Sequence, residues 1–208
     1  MATTDREALA ALRASDPVMA ALVDAHGPLD VEARRRGRPD DAYGALVRSI
    51  VGQQLSTKAA RSIYERLTAL FHGRTPSARE LLTADFETVR AVGLSRPKVG
   101  YLRDLAARVL AGELELDRLA ALSDEEVSAQ LTAVKGLGQW TADMFLLFHL
   151  GRADVLPVGD LGVRRAAERA YGLPGLPSAA ELTALAEPWR PHRSLASLYL
   201  WRSLDNEP

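Results

Sequence analysis

The chain has 208 residues, 47% of them hydrophobic, no cysteine and a formal net charge of −1. That size and apolar content suit one large domain or two small ones and argue against a disordered chain. Lack of cysteine excludes disulfides, thiolate zinc sites, thiolate-bound iron–sulfur clusters and cysteine nucleophiles. No apolar run nears the roughly 18 residues of a membrane span, and the N-terminus carries charges where a signal peptide would be apolar, so a soluble, cytoplasmic chain with no membrane partner is expected.

In chain order, Asp16 before Pro17 predicts a helix start. The run Arg34 to Pro39 reads as a basic linker. Apolar residues then recur at helical spacing, first Ile50, Val51 and Leu55, next Ile63, Leu67 and Leu70. Ser77 and Glu80 fit a capping box, in which serine and glutamate satisfy free amides at a helix start. Leu102, Leu105, Val109 and Leu110 give another apolar stripe. Ser123 with Glu126, and Ser178 with Glu181, repeat the capping box. Strand signals are weak, and the segment Asp154 to Val158 is interrupted by proline. The expectation is about ten short helices, an all-α fold with no sheet of consequence.

Charge is segregated. Between Gly44 and Arg79 six basic residues meet one acid, Glu65; between Val89 and Arg108 five meet only Asp104; between Ala111 and Leu131 six acids meet only Arg118. Such a chain could offer one face to an anion, or it could carry ordinary solvated helix faces. Several chemistries lack their residues. There is no Gly-x-x-x-x-Gly-Lys phosphate loop, no Gly-x-Ser-x-Gly elbow, and His26, His72, His149 and His192 are scattered.

One segment stands out, Leu131 to Phe148. A helix from Ser123 to about Thr132 meets the turn Gly136-Leu137-Gly138, and an apolar helix follows. Glycines permit sharp turning and close approach of a partner. Amides at the following helix start suit an anion, and Lys135 adds a cation. This describes a helix–hairpin–helix grip on a phosphate backbone, although an ordinary helical connector has the same outline. Twenty residues after Trp140 stands Asp160, where a new helix begins; a helix start stabilises negative charge, and a simple N-cap is the plainer explanation.

Taken together, Tyr43 with Ile50-Val-Gly-Gln-Gln-Leu-Ser56, Val92-Gly-Leu-Ser-x-x-Lys98, the hairpin with Trp140-Thr-Ala, the Asp160 segment, and Trp189-x-Pro-x-Arg193-Ser-x-Ala-x-x-Tyr199-x-Trp201 resemble the helix–hairpin–helix superfamily of DNA glycosylases, in its 3-methyladenine branch. The resemblance implies two helical lobes, residues 1–40 with 165–208 and residues 41–164, with the helix–hairpin–helix at 123–150 and an active-site cleft between the lobes. It implies that Asp160 is catalytic and that Trp140, Trp201, Met144 and Tyr43 line the base pocket. Lys135, Gly136, Gly138, Gln139 and Thr141 would hold the DNA backbone. The carbonyls of Thr132, Val134 and Leu137 would hold a structural Na+ or K+, with no cofactor needed for the chemistry and no iron–sulfur cluster. Gln54 stands where some relatives have a leucine wedge, and either Gln54 or Leu55 would fill the gap left by a flipped base. Met144 stands where some relatives have tyrosine. Trp140 stands where strand-cleaving relatives have a Schiff-base lysine, which implies a monofunctional enzyme. The expected activity is release of N-alkylated purines from double-stranded DNA by a nucleoid-associated monomer. Two alternatives are a same-fold enzyme for oxidised, deaminated or mismatched bases and a non-catalytic DNA-binding module.

Overall fold

Each predicted cap forms. Asp16 accepts from the amides of Val18 and Met19 and starts a helix with proline in its first turn. Ser77, Ser123 and Ser178 each accept from the amide three residues on, and the glutamate there returns a bond to the serine amide. Every serine thus settles two of the donors that a helix start leaves unpaired.

The computed structural model describes residues 3–29, 39 and 41–204. In order the α-helices are α1 (Thr3–Ser15), α2 (Pro17–His26), α3 (Ala42–Gly52), α4 (Thr57–Ala69), α5 (Ala78–Thr83), α6 (Phe86–Ala91), α7 (Arg96–Leu110), α8 (Asp124–Thr132), α9 (Gln139–Phe148), α10 (Leu161–Ala170), α11 (Ala179–Leu185) and α12 (Arg193–Leu204). Short 3-10 turns span Leu116–Ala121 and Glu187–Trp189, and no strand occurs among the described residues. The fold is all-α. None of these helices is long and apolar enough to cross a membrane. The basic run Arg34 to Arg38 lies outside the described residues.

The chain divides into two units, Met1–Arg36 with Leu146–Pro208, and Gly37–Phe145. In the terminal unit, Leu12, Met19, Val163, Ala166, Ala167, Leu182, Trp189, Ala196 and Leu200 form one buried cluster. Asp16 is buried against it, and its Oδ2 accepts from the Tyr171 hydroxyl at 2.6 Å and from Trp189 Nε1 at 3.0 Å. The expected boundaries shift here, from 40/41 to 36/37 and from 164/165 to 145/146. Residues 146–164 join the terminal unit because polar bonds tie them to the start of α12. Asp154 accepts from Arg190 and Arg193, while Ser194 Oγ accepts from the Val155 amide at 2.9 Å and donates to the Arg152 carbonyl at 2.6 Å.

In the central unit the apolar stripes of α3 (Leu46, Val47, Ile50, Val51), α4 (Ile63, Leu67), α7 (Val99, Leu102, Leu105) and α8 (Val127, Leu131) are buried. Leu55, Leu70 and Leu110 depart from the periodicity and are 39%, 44% and 49% exposed. Each stands at or beyond the C-terminal end of its helix, where the buried stripe has run out.

Candidate active site and DNA-backbone grip

Two tight turns lead into α10, with the Val158 amide bonded to the Leu156 carbonyl and the Asp160 amide to the Pro157 carbonyl, both at 2.9 Å. They deliver Asp160 in extended backbone as the N-cap of α10. Its Oδ1 accepts from the Val163 amide at 2.9 Å and from Trp201 Nε1 at 2.8 Å. Asp160 is only half-buried, so the carboxylate is not sealed in the core. Asp160 is thus an N-cap whose carboxylate still reaches solvent. Trp201 stacks on Phe148, with ring centroids 5.9 Å apart and planes 21° from parallel. Gly162 leaves the room this requires. A Cβ there would stand 3.0 Å from Asp160 Oδ1 and 3.1 Å from Trp201 Cδ1.

Sequence reasoning missed Gly162, Phe148 and Leu161. Leu161 is the first residue of α10, and at 54% exposure it places a large apolar side chain next to Asp160. Apolar exposure beside a polar group in a site was the signal, visible only once α10 was oriented.

The remaining pocket candidates belong to the central unit. Trp140, in the first turn of α9, is 44% exposed, and Met144, one turn on, is half-buried. Between them Asp143 is buried; burial pushes its carboxyl above the usual range, partly offset by a bond from Gln139 Nε2 at 2.8 Å. The Tyr43 hydroxyl is buried without a hydrogen-bond partner among the described residues. Burial, with the nearby Asp41 charge, raises its pKa.

The hairpin forms between α8 and α9. Gly136 adopts φ +82°, and a Cβ on it would fall 2.2 Å from the Tyr101 ring, so glycine is needed both for the turn and for the packing. Asp104 Oδ2 accepts from the Lys135 amide at 2.9 Å and from Arg108, fixing the entry to the turn. Burial pushes Asp104 up, but these bonds outweigh it and its pKa is lowered. Gly138, Gln139, and the Lys135 side chain with Gly136, lie exposed. Two expectations narrow. Thr141 is only 3% exposed and its amide is bonded to the Gly138 carbonyl at 2.9 Å. The Lys135 amide is likewise spent on Asp104, leaving its ammonium for a partner. Thr141 belongs to the packing of α9 because the first helical turn rotates its side chain inward.

Ahead of α4, Gln53 (φ −52°, ψ 133°) and Gln54 (φ +57°) make a type II turn, closed by the Leu55 amide on the Gly52 carbonyl at 3.2 Å. Gln54 and Leu55 are both exposed. Most arginines of the basic segments are matched by carboxylates: Arg61 with Glu65, Arg74 with Glu80, Arg90 and Arg96 with Glu87, and Arg108 with Asp104. Lys58 and Lys135 lie exposed.

Among the described residues no group of three or more His, Asp or Glu side chains could hold a metal ion. The hairpin carbonyls are a different donor set. Among the described residues the Thr132 carbonyl ends α8 with no amide bonded to it, and the Val134 carbonyl accepts only the Leu137 amide. Uncharged, hard oxygens of this kind suit a monovalent cation, so the residues fit the expected ion.

A half-buried carboxylate braced by an indole and a glycine hairpin between two helices are thus both present in the chain. The model of the HhH-GPD superfamily base excision DNA repair proteins matches residues 47–191. A DNA-3-methyladenine glycosylase 1 of Schizosaccharomyces pombe is 35% identical over 165 residues, 78% of this chain and 72% of the relative. Among solved structures, the Schizosaccharomyces pombe 3-methyladenine DNA glycosylase in complex with abasic DNA superposes with a TM-score of 0.84 at 31% identity, covering 96% of this chain and 97% of that one. A DNA-3-methyladenine glycosidase of Bacillus halodurans gives 0.74 at 34% identity, over 92% and 90%. The chain belongs to the HhH-GPD superfamily of base excision DNA repair proteins.

Proposed function

We propose that the protein is a monofunctional DNA N-glycosylase that releases N-alkylated purines, 3-methyladenine among them, from double-stranded DNA and leaves an abasic site. The observation that carries this reading is Asp160, a half-buried carboxylate held by an indole N–H at the head of a helix, in a chain whose relatives bear the name of that activity. A base inside a duplex is out of reach, so the nucleotide is extruded first. An N-alkylated purine is often cationic and already a good leaving group, and needs no strong general acid. The Trp201 ring beside Asp160 offers an electron-rich face to such a base, an attraction of up to about 2 kcal/mol when desolvated. As the glycosidic bond breaks, the sugar becomes oxocarbenium-like. Asp160 stabilises that charge and directs the attacking water.

The hairpin holds the phosphate backbone through Gly136, Gly138, the Gln139 amide and the Lys135 ammonium. Carbonyls of Thr132, Val134 and Leu137 would hold Na+ or K+, which would supply positive charge against the phosphate. Either Gln54, at the tip of its turn with φ +57°, or Leu55 fills the gap left in the base stack. The protein acts as a monomer. Met144 supports a second reading, activity on oxidised or deaminated bases too, because an unbranched thioether adapts to more shapes than an aromatic wall.

Asp160→Asn tests the mechanism. Base release from methylated duplex DNA falls to background while duplex affinity stays near wild type. A variant with undiminished release refutes the role given to Asp160. Comparing release of 3-methyladenine, 7-methylguanine, hypoxanthine and oxidised guanine decides between the two substrate readings.

A further inference from the structure

The central unit holds a cation with no part in the mechanism above. Lys98 lies in the first turn of α7, behind the N-cap Ser95. Its half-buried ammonium donates to the Val51 carbonyl at 2.9 Å and to the Gln53 carbonyl at 2.6 Å. No carboxylate pairs with it among the described residues, and burial holds its pKa below the ordinary lysine value. A half-buried cation bonded only to neutral carbonyls is poor value as a stabilising contact. What it does fix is geometry. Val51 and Gln53 lie at the C-terminal end of α3, where carbonyls lack helical amides and the helix dipole favours a positive charge.

The segment those carbonyls lead into is under strain. Gln54 takes φ +57° at the third position of a type II turn, a place that favours glycine or asparagine. An exposed residue keeps such a conformation only where its surroundings over-determine it. Here they do so from two sides. Lys98 holds the carbonyl before Gln54, and the Gln53 side chain donates from Nε2 to the Gly136 carbonyl of the hairpin at 2.6 Å, across 83 residues of sequence. One turn is therefore tied at once to the head of α7 and to the glycine that shapes the phosphate grip.

We propose that Lys98 is a positioning residue: with Gln53 it locks the Gly52–Leu55 turn in register with the hairpin, so that gripping the DNA backbone presents Gln54 to the space vacated by an extruded nucleotide. This rests on the glycosylase reading and adds to it. Grip and insertion become one rigid device, and Lys98 acts on extrusion rather than on the chemical step.

The test compares single-turnover release of a methylated purine from two substrates, a fully paired duplex and the same strand with the lesion inside a bubble of mismatches. A base in a bubble is already unstacked and needs no displacement. For Lys98→Met, release from the duplex drops by about tenfold or more, while release from the bubble and affinity for the duplex stay within about threefold of wild type. Lys98→Arg, which keeps a cation able to reach both carbonyls, recovers most of the duplex rate. Gln53→Leu cuts the tie to the hairpin and shows the same selective loss, so the outcome does not depend on the folding of a single variant. An undiminished duplex rate in Lys98→Met overturns the proposal. So does an equal loss on both substrates, which marks a structural or chemical role. Absence of release by the wild-type protein from either substrate overturns the glycosylase reading itself, an outcome separate from both.

Discussion

At the scale of single residues, one oxygen of Asp160 carries two bonds, from the Val163 amide and from the Trp201 indole. The first fixes where α10 begins and the second fixes the carboxylate against the Trp201 indole. Hydrogen bonds to charged groups contribute about 1.5–3 kcal/mol, so Trp201→Phe, which keeps the ring on Phe148 but loses the N–H, lowers single-turnover base release by about ten- to a hundredfold. Gly162→Ala acts in the same direction by pushing a methyl group against both Asp160 and the indole. Unchanged release in Trp201→Phe shows the N–H to be idle. The spacing of residues singled out Asp160 and Trp201. It could not reveal that they touch, since 41 residues separate them.

At the scale of elements, the two glycines of the hairpin have different duties. Gly136 sits at positive φ against Tyr101, whereas a Cβ on Gly138 meets nothing within 4 Å. Gly136→Ala therefore lowers the melting temperature and disturbs the hairpin. Gly138→Ala leaves the melting temperature unchanged and weakens duplex binding, because the methyl group intrudes only on a partner. Thermal melts and duplex titrations of the pair check this, and a Gly138→Ala protein with wild-type affinity removes that glycine from the grip. Helix starts were legible in the sequence because caps are local: a serine and the glutamate three residues on suffice. Helix ends were less so. The stripe from Ile50 runs on to Leu55 in the sequence, while the chain turns at Gln53 because distant groups, Lys98 and Gly136, bond to that turn.

At the scale of the whole molecule, charge and stability are set by pairing. Burial pushes the Asp16 carboxyl up, but bonds from Tyr171, Trp189, Met19 and Val18 outweigh it and leave the pKa lowered. The charged form is thus favoured by folding. Its stabilisation is complete above the ordinary carboxyl range near pH ~4 and is lost as pH falls through the lower folded value. Asp16→Asn lowers the melting temperature at pH 7, by several degrees if about 1–3 kcal/mol is lost, and the gap to wild type narrows in acid. A gap that widens in acid contradicts this assignment. Because so many arginines already face carboxylates, the exposed Lys135 is the sharper test of phosphate contact. Lys135→Ala reduces the slope of log affinity against log salt by about one, and Arg61→Ala, whose charge is matched by Glu65, changes it less. Equal slopes in wild type and Lys135→Ala remove that lysine from the phosphate contacts.

The sequence by itself determined the all-α fold, the helix starts and the hairpin, because capping pairs, apolar periodicity and glycine turns act over a few residues; the family came from the resemblance of its ordered motifs. Tertiary structure alone decided which amides of the hairpin are spent, that Thr141 turns inward, that residues 146–164 join the terminal unit, and that Lys98 and Gln53 brace the turn at Gln54. Apart from Thr141, which the first turn of its own helix buries, each of these depends on a bond between groups distant in the chain, and such a bond exists only once packing has brought donor and acceptor within about 3 Å of one another.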